Sequence, residues 1–487
     1  MHAQSVCHYS LSRRRFLTGV SSAGIALLAS ACTSGGTPSP TSAPAAVTSA
    51  SATAPTTAAT IAPRPSTTSQ TSTSAPVTAQ PAATSAPSGQ RPRVTFTVPG
   101  GASENGDFKP VFDAFAKEYP NIDAVYAPFN TGYTPEYIQK LLTTIAGNVA
   151  PDVFKINPSP YFGTLASQGA LAQLDPFVKA DPTIDFADYF TPHVEACQYK
   201  GKLYALPNDG APQAMWYNVD AFKSAGVELP TKDWTWQNLL DAGKQLTKTS
   251  NGRPLQFGVG RPDWLSWVWS NGGDLLDADG LKCVLDTPEA IAAFQWLQDA
   301  STRSKVMPSP ADLNQQGDLF TTGREATAFG VRGSLGTYRD IKTFHFDAVQ
   351  LPKGQKGRVA QLAIGYTSLW IKTKEPQAAY TVAAFVAGKE GERLRISRGF
   401  AFPSRKSLVE QDWFQKYKAP MSASFGINTA FADELLADEA RVWPVHPKGM
   451  QIQDAINKQI DFLWDGKKSA PQIATDMVAA VNEVLKR

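Results

Sequence analysis

Between residues 94 and 156 the apolar residues switch repeatedly between alternation and helical spacing, and few folds accept that pattern. Residues 94–98 alternate and are β-rich, the loop GGASENG follows, and Phe108, Val111, Phe112 and Phe115 then recur at helical spacing up to Pro120. Residues 122–128 predict a second strand, residues 135–146 a second helix and residues 152–156 a third strand, closed by a polar turn at Asn157, Pro158 and Ser159. Strands alternating with helices require parallel crossover units. The fold class is therefore α/β, with a ligand crevice expected at the carboxyl ends of the strands.

The chain upstream has a different character. Residues 33–90 are almost entirely Ser, Thr, Ala and Pro, with no acidic residue and Arg64 as the lone charge. Such a composition cannot bury a core, so residues 33–92 are expected to form a disordered tether. Its 60 or so residues span about 40 to 45 Å. Before it, Arg13, Arg14 and Arg15 precede an apolar run over residues 16–31, diluted by Gly19, Gly24 and serines, which reads as an export signal. That run falls short of the roughly 20 residues of a membrane-spanning helix. Residues 12–17, SRRRFL, resemble the twin-arginine export consensus; a Sec signal with an Arg-rich start is the alternative. Leu28-Ala29-Ser30-Ala31-Cys32 resembles a bacterial lipobox, with Leu28 one place further from the cysteine than in the strict pattern. The resemblance implies acylation of Cys32 and anchoring at the outer face of the cell membrane, with residues 1–32 as signal and lipobox. Ordinary cleavage that leaves Cys32 incidental is the alternative.

Residues 201–226, GKLYALPNDGAPQAMWYNVDAFKSAG, read as one passage: short strand, stiff polar crossover, aromatic strand, and an amphipathic helix ending at glycine. Pro207 and Pro212 fix φ, while Asn208, Asp209 and Gly210 favour turns, so the chain can leave one compact lobe there and enter another. This passage resembles the lobe-crossing region of the family 1 extracellular solute-binding proteins, the sugar-type receptors of ABC importers. Further blocks fall in that family's order: Ala150-Pro151-Asp152-Val153-Phe154, Asn271-Gly272-Gly273 with LDADGLKCVLDTPEAIAAFQWLQD, Phe320-Thr321-Thr322-Gly323-Arg324-Glu325-Ala326, and Gly399-Phe400-Ala401-Phe402-Pro403-Ser404-Arg405. The resemblance implies a two-lobed, periplasmic-binding-protein-like fold of type II, each lobe a mostly parallel sheet flanked by helices. Crossovers are expected near Asp209, at Val349 and Gln350, and near Pro403. Lobe 1 would be residues 93–209 with 351–402, and lobe 2 residues 210–350 with 403–487. It also implies an extracellular protein that captures a small carbohydrate and delivers it to ABC permease subunits.

Composition narrows the function independently. The chain has 46 basic and 43 acidic residues, but five of the basic ones and none of the acidic ones lie at or before Arg91. The remainder is nearly neutral, which excludes nucleic-acid binding through a basic patch. No hydrolase elbow, zinc-protease helix, phosphate loop or paired Cys-x-x-Cys occurs, and His193, His345 and His446 lie far apart in sequence. Neither an enzyme, a metal site nor a cofactor is expected. Cys197 and Cys283 are read as buried free thiols in different lobes, a disulfide between them being the alternative.

A sugar presents polarised C–H faces and a rim of hydroxyls, so its site needs aromatic platforms and a few fixed polar groups. Trp264 and Trp267, which share a face if their segment is helical, are the first candidates for stacking. Where many members of the family carry Gly-Pro-Trp after the Gly-Lys-Ala-Ala-Met-like block, this chain has Phe329-Gly330-Val331-Arg332. Arg332 could fork onto a carboxylate, a sulfate or a hydroxyl pair; a salt bridge is the alternative. The resemblance adds, by position alone, Ser103 and Glu104 after the first strand, Asn157 and Ser159 after the third, Asp209 at the crossing, Tyr366 and Trp443. Two rival readings remain: a receptor for a polyamine, peptide or phosphodiester, and an extracellular enzyme acting on polysaccharide.

Overall fold

The computed structural model describes residues 91–487 apart from Pro158, residues 315–317, Phe400, residues 425–426 and Arg487. The expected export signal, Cys32 and nearly all of the tether lie outside the described residues.

Two sheets organise the chain. The strands are β1 (Arg93–Thr97), β2 (Asp123–Tyr126), β3 (Val153–Ile156), β4 (Leu206–Pro212), β5 (Ala214–Asn218), β6 (Thr327–Gly330), β7 (Phe346–Val349), β8 (Ala360–Leu369) and β9 (Ala440–Val442). The first sheet runs β9-β8-β3-β1-β2, with β4 also paired to β8. Its β1, β2 and β3 are parallel, as the alternating pattern requires, with Phe96 opposite both Tyr126 and Val153. The long strand β8 runs antiparallel to β3 and β4 and parallel to β9. The second sheet, β6-β5-β7, is antiparallel throughout. There the expected parallel arrangement gives way: β5 is central, and β6 and β7 on its two sides both run against its direction.

The passage at residues 201–226 is more regular than its composition implies. Asn208 and Asp209 stand within β4, a fully buried strand, and Gln213 alone separates it from β5 in the other sheet. The Asp209 side chain is diverted to Lys155 and Arg395, and Asn208 sits where the register with β8 shifts at a bulge. The following helix, Val219–Ala225, starts where Asn218 Oδ1 accepts the Ala221 amide at 2.8 Å, and it ends at left-handed Gly226. Another difference lies after β1, where the helix Ala102–Glu118 absorbs most of the expected GGASENG loop. Glu104 in its first turn accepts the Gly100 amide at 2.9 Å and so secures that start.

Hydrophobic burial divides into two cores. The first gathers Phe96, Phe108, Leu141, Phe154 and Ile364 around the larger sheet, and the second gathers Leu239, Trp267, Phe294, Ile456 and Met477. Strand β5 serves both, since Ala214 and Trp216 join the first while Met215 and Tyr217 join the second. Cys197 and Cys283 are free and buried, one in each core.

Candidate functional site

A chain of buried and half-buried polar groups crosses from the carboxyl ends of β1, β2 and β3 to β4. Tyr133 donates its hydroxyl to Glu104 Oε1 at 2.6 Å and accepts Lys155 Nζ at 3.0 Å. Lys155 Nζ also donates to Asp209 Oδ2 at 2.8 Å, and Arg395 Nη1 reaches the same oxygen at 2.6 Å. A second guanidinium nitrogen, Nη2, donates to the Asn208 carbonyl. Lys155 is 2% exposed and Arg395 0%, so these charges interact with little screening by water. Burial alone would raise the Asp209 carboxyl, but Lys155 and Arg395 outweigh it and hold the carboxyl at about 2. Glu104 goes the other way: burial lifts its pKa despite Lys155 nearby. The Asn208 side-chain amide is buried with neither Oδ1 nor Nδ2 bonded within the chain. Gly365 makes this packing possible, because a Cβ there would lie 2.2 Å from Asp209 Oδ1.

An aromatic corner forms elsewhere. The helix Trp264–Ser270 is capped by Asp263, whose Oδ2 accepts the Ser266 amide at 2.8 Å and its hydroxyl at 2.9 Å. Ser266 Oγ in turn accepts the Gln361 amide at 2.9 Å, which ties this helix to the amino end of β8. Trp264, half-buried at the helix start, meets Trp443 edge to face at 6.3 Å and Phe294 at 5.9 Å. Trp443 follows directly on β9, so two candidates far apart in sequence come together. Trp267 packs instead inside the second core, stacked on Trp236 at 5.7 Å and edge-on to Phe329 at 5.3 Å.

The other candidates are dispersed. Arg332 is fully buried between the rings of Phe414 and Tyr417, at 5.1 and 5.2 Å. Its Nε donates to Asn428 Oδ1 at 2.6 Å, its Nη1 to the Ala401 carbonyl, and Nη2 lacks a partner. Burial pulls this guanidinium down to about 10, and no carboxylate pairs with it among the described residues. Tyr366 is buried in β8 and stacks on Phe162 at 4.6 Å, nearly parallel. Asn157 follows β3, Ser159 precedes the helix Pro160–Ser167, and Ser103 lies in the first turn of Ala102–Glu118. Lys155, Tyr133, Arg395 and Asn208 escaped the sequence reading as ligand candidates. Only Lys155 left a signal, as a lone cation inside the apolar strand VFKI, where burial demands a partner.

A family model for bacterial extracellular solute-binding proteins matches residues 101–393. The chain is similar to the sn-glycerol-3-phosphate-binding periplasmic protein UgpB of Escherichia coli K12, 23% identical over 417 residues that cover 79% of this chain and 87% of that protein. Among solved structures, an ABC substrate-binding protein of Listeria monocytogenes in complex with cycloalternan superposes with a TM-score of 0.73 at 24% identity, covering 82% of this chain and 100% of that one. UgpB of Mycobacterium tuberculosis in complex with glycerophosphocholine gives a TM-score of 0.70 at 19% identity, covering 82% and 99%. These likenesses show the fold to be the two-lobed type II periplasmic binding fold.

Proposed function

This chain belongs to the bacterial extracellular solute-binding proteins, and on that footing we propose that it captures a sugar or oligosaccharide by closing two lobes and hands it to the permease of an ABC importer. It is a binding protein and not an enzyme. The observation that carries the sugar reading is the Trp264 and Trp443 corner, which leaves the half-buried Trp264 ring as a platform for a sugar face. Asn208, Glu104 and Tyr133 supply fixed polar groups of the kind hydroxyls require. The solved relative holding cycloalternan is a further support. The lobes are taken as residues 93–209 with 351–402 and residues 210–350 with 403–487. Acylated Cys32, after twin-arginine export, anchors the protein, and the Ser/Thr/Ala/Pro tether lets it work beyond the membrane face.

A phosphate ester or phosphodiester is the second reading. It is favoured by the similarity to two proteins that bind glycerol phosphates.

A melting series with maltose, cycloalternan, acarbose, sn-glycerol-3-phosphate and glycerophosphocholine separates the two. A ligand at 100 times its Kd adds about 2.7 kcal/mol, or roughly 3 °C for a chain of this size. A shift with a glucan supports the sugar reading; a shift confined to the phosphate compounds replaces it with the second.

A further inference from the structure

The helix Pro160–Ser167 gives Phe162, Leu165 and Ala166 to the first core, whereas Gly449–Asn457 gives Ile452, Ala455 and Ile456 to the second. These two helices meet backbone to backbone. A Cβ on Gly163 would stand 2.6 Å from the His446 carbonyl oxygen and 2.7 Å from its nitrogen, and one on Gly449 would stand 2.3 Å from the Pro160 oxygen. Thr164 Oγ1 accepts the Met450 amide at 3.3 Å across the same contact. Ligand candidates flank it on both sides, with Asn157 and Ser159 leading into the first helix and Trp443 three residues before His446.

We propose that Gly163 and Gly449 are positioning residues for ligand capture: the absence of a side chain at both lets the two bodies close until their backbones touch. This rests on the reading that the ligand is held between the lobes. Backbone atoms cannot swing aside as a side-chain tip can, so a methyl at either position forces the helices apart by about 1 Å. Hydrogen bonds of about 3 Å to a ligand spanning both bodies would then stretch beyond their useful range. The closed state loses population, and affinity falls with it.

The test uses Gly163→Ala, Gly449→Ala and Thr164→Val, the last deleting the cross-contact bond without adding bulk. Spin labels on Lys179→Cys and Lys486→Cys, both exposed positions, report the separation of the bodies in a Cys7→Ser, Cys32→Ser background. Buried Cys197 and Cys283 escape labelling. Both alanine variants are expected to lose the short-distance population and to bind cycloalternan about tenfold more weakly or worse, through faster release. Thr164→Val should keep the wild-type distance and stay within about twofold in affinity. Unchanged distances and affinity in the alanine variants overturn the proposal, as does a Thr164→Val variant that matches them. An alanine variant that does not fold also overturns it, because the contact then belongs to the folding core and not to closure. Distances are recorded without ligand too, so failure of cycloalternan to bind counts against the sugar reading while the glycine contact is still tested.

Discussion

Replacing Asp209 by Asn should destabilise the protein sharply, and by an amount that depends on pH. Asp209 Oδ2 receives Lys155 Nζ at 2.8 Å and Arg395 Nη1 at 2.6 Å, both cations being almost wholly buried. Removing the carboxylate strands two cations beside each other, which typically costs about 3 to 5 kcal/mol. For about 400 residues the unfolding entropy converts that into a drop of roughly 4 to 6 °C. The titration adds a second signature. Folded Asp209 titrates at about 2 against an ordinary 3.8, so its ionisation contributes about 2 kcal/mol to stability. A depressed carboxylate gives that stability in full above the unfolded value, near pH 4, and loses it as the pH falls towards 2. The gap between wild type and Asp209→Asn should therefore narrow by about 2 kcal/mol between pH 5 and pH 2 in urea titrations. Adding Lys155→Met to the variant should recover part of the loss, since one stranded cation goes. A variant that melts within 1 °C or so of wild type at pH 7, with a gap that ignores pH, would refute the argument that the ion triad holds β4 in place.

Other outcomes separate binding from packing. Trp264→Ala should weaken sugar binding by about 10- to 100-fold in calorimetry with a modest melting change, whereas Trp443→Ala, buried in the second core, should weaken binding and also cost about 3 to 5 kcal/mol of stability. Trp267→Ala, deep in the aromatic core, should instead cost about 3 to 5 kcal/mol of stability in denaturant titration. Cys197 and Cys283 should resist iodoacetamide in the native protein and both alkylate in urea, as read by peptide mass spectrometry. Cys32→Ser should abolish incorporation of a palmitate analogue; label that persists in the variant rules out Cys32 as the anchor.

The parallel core of the first sheet was legible because local period suffices for it. Val94, Phe96 and Val98 alternate, Phe108, Val111 and Phe115 recur at helical spacing, and all are buried in the structure. Turn chemistry was the less reliable guide. Asn208 and Asp209 favour turns in isolation, yet the pairing of Asp209 with β8, its ion pairs with Lys155 and Arg395, and the hydrogen bond from Arg395 to the Asn208 carbonyl hold them in a strand. Tertiary contacts of this kind outweigh the tenths of a kcal/mol that separate local preferences. At the site, Trp264 and Trp267 look equivalent in sequence. Only the packing of Trp236, Trp296 and Phe329 around Trp267 sets them apart.

The amino-acid sequence by itself determined the class of fold, the shift in composition after the Ser/Thr/Ala/Pro tract, and the near neutrality of the residues beyond it, since each depends on composition or on neighbours a few residues apart. The tertiary structure decided which distant groups meet. Asp209 finds Lys155 and Arg395 across 54 and 186 positions of chain, Trp264 finds Trp443, and Gly163 meets the backbone of His446. Such encounters follow from how whole sheets and helices bury their apolar faces, a sum over the entire chain that no local window contains.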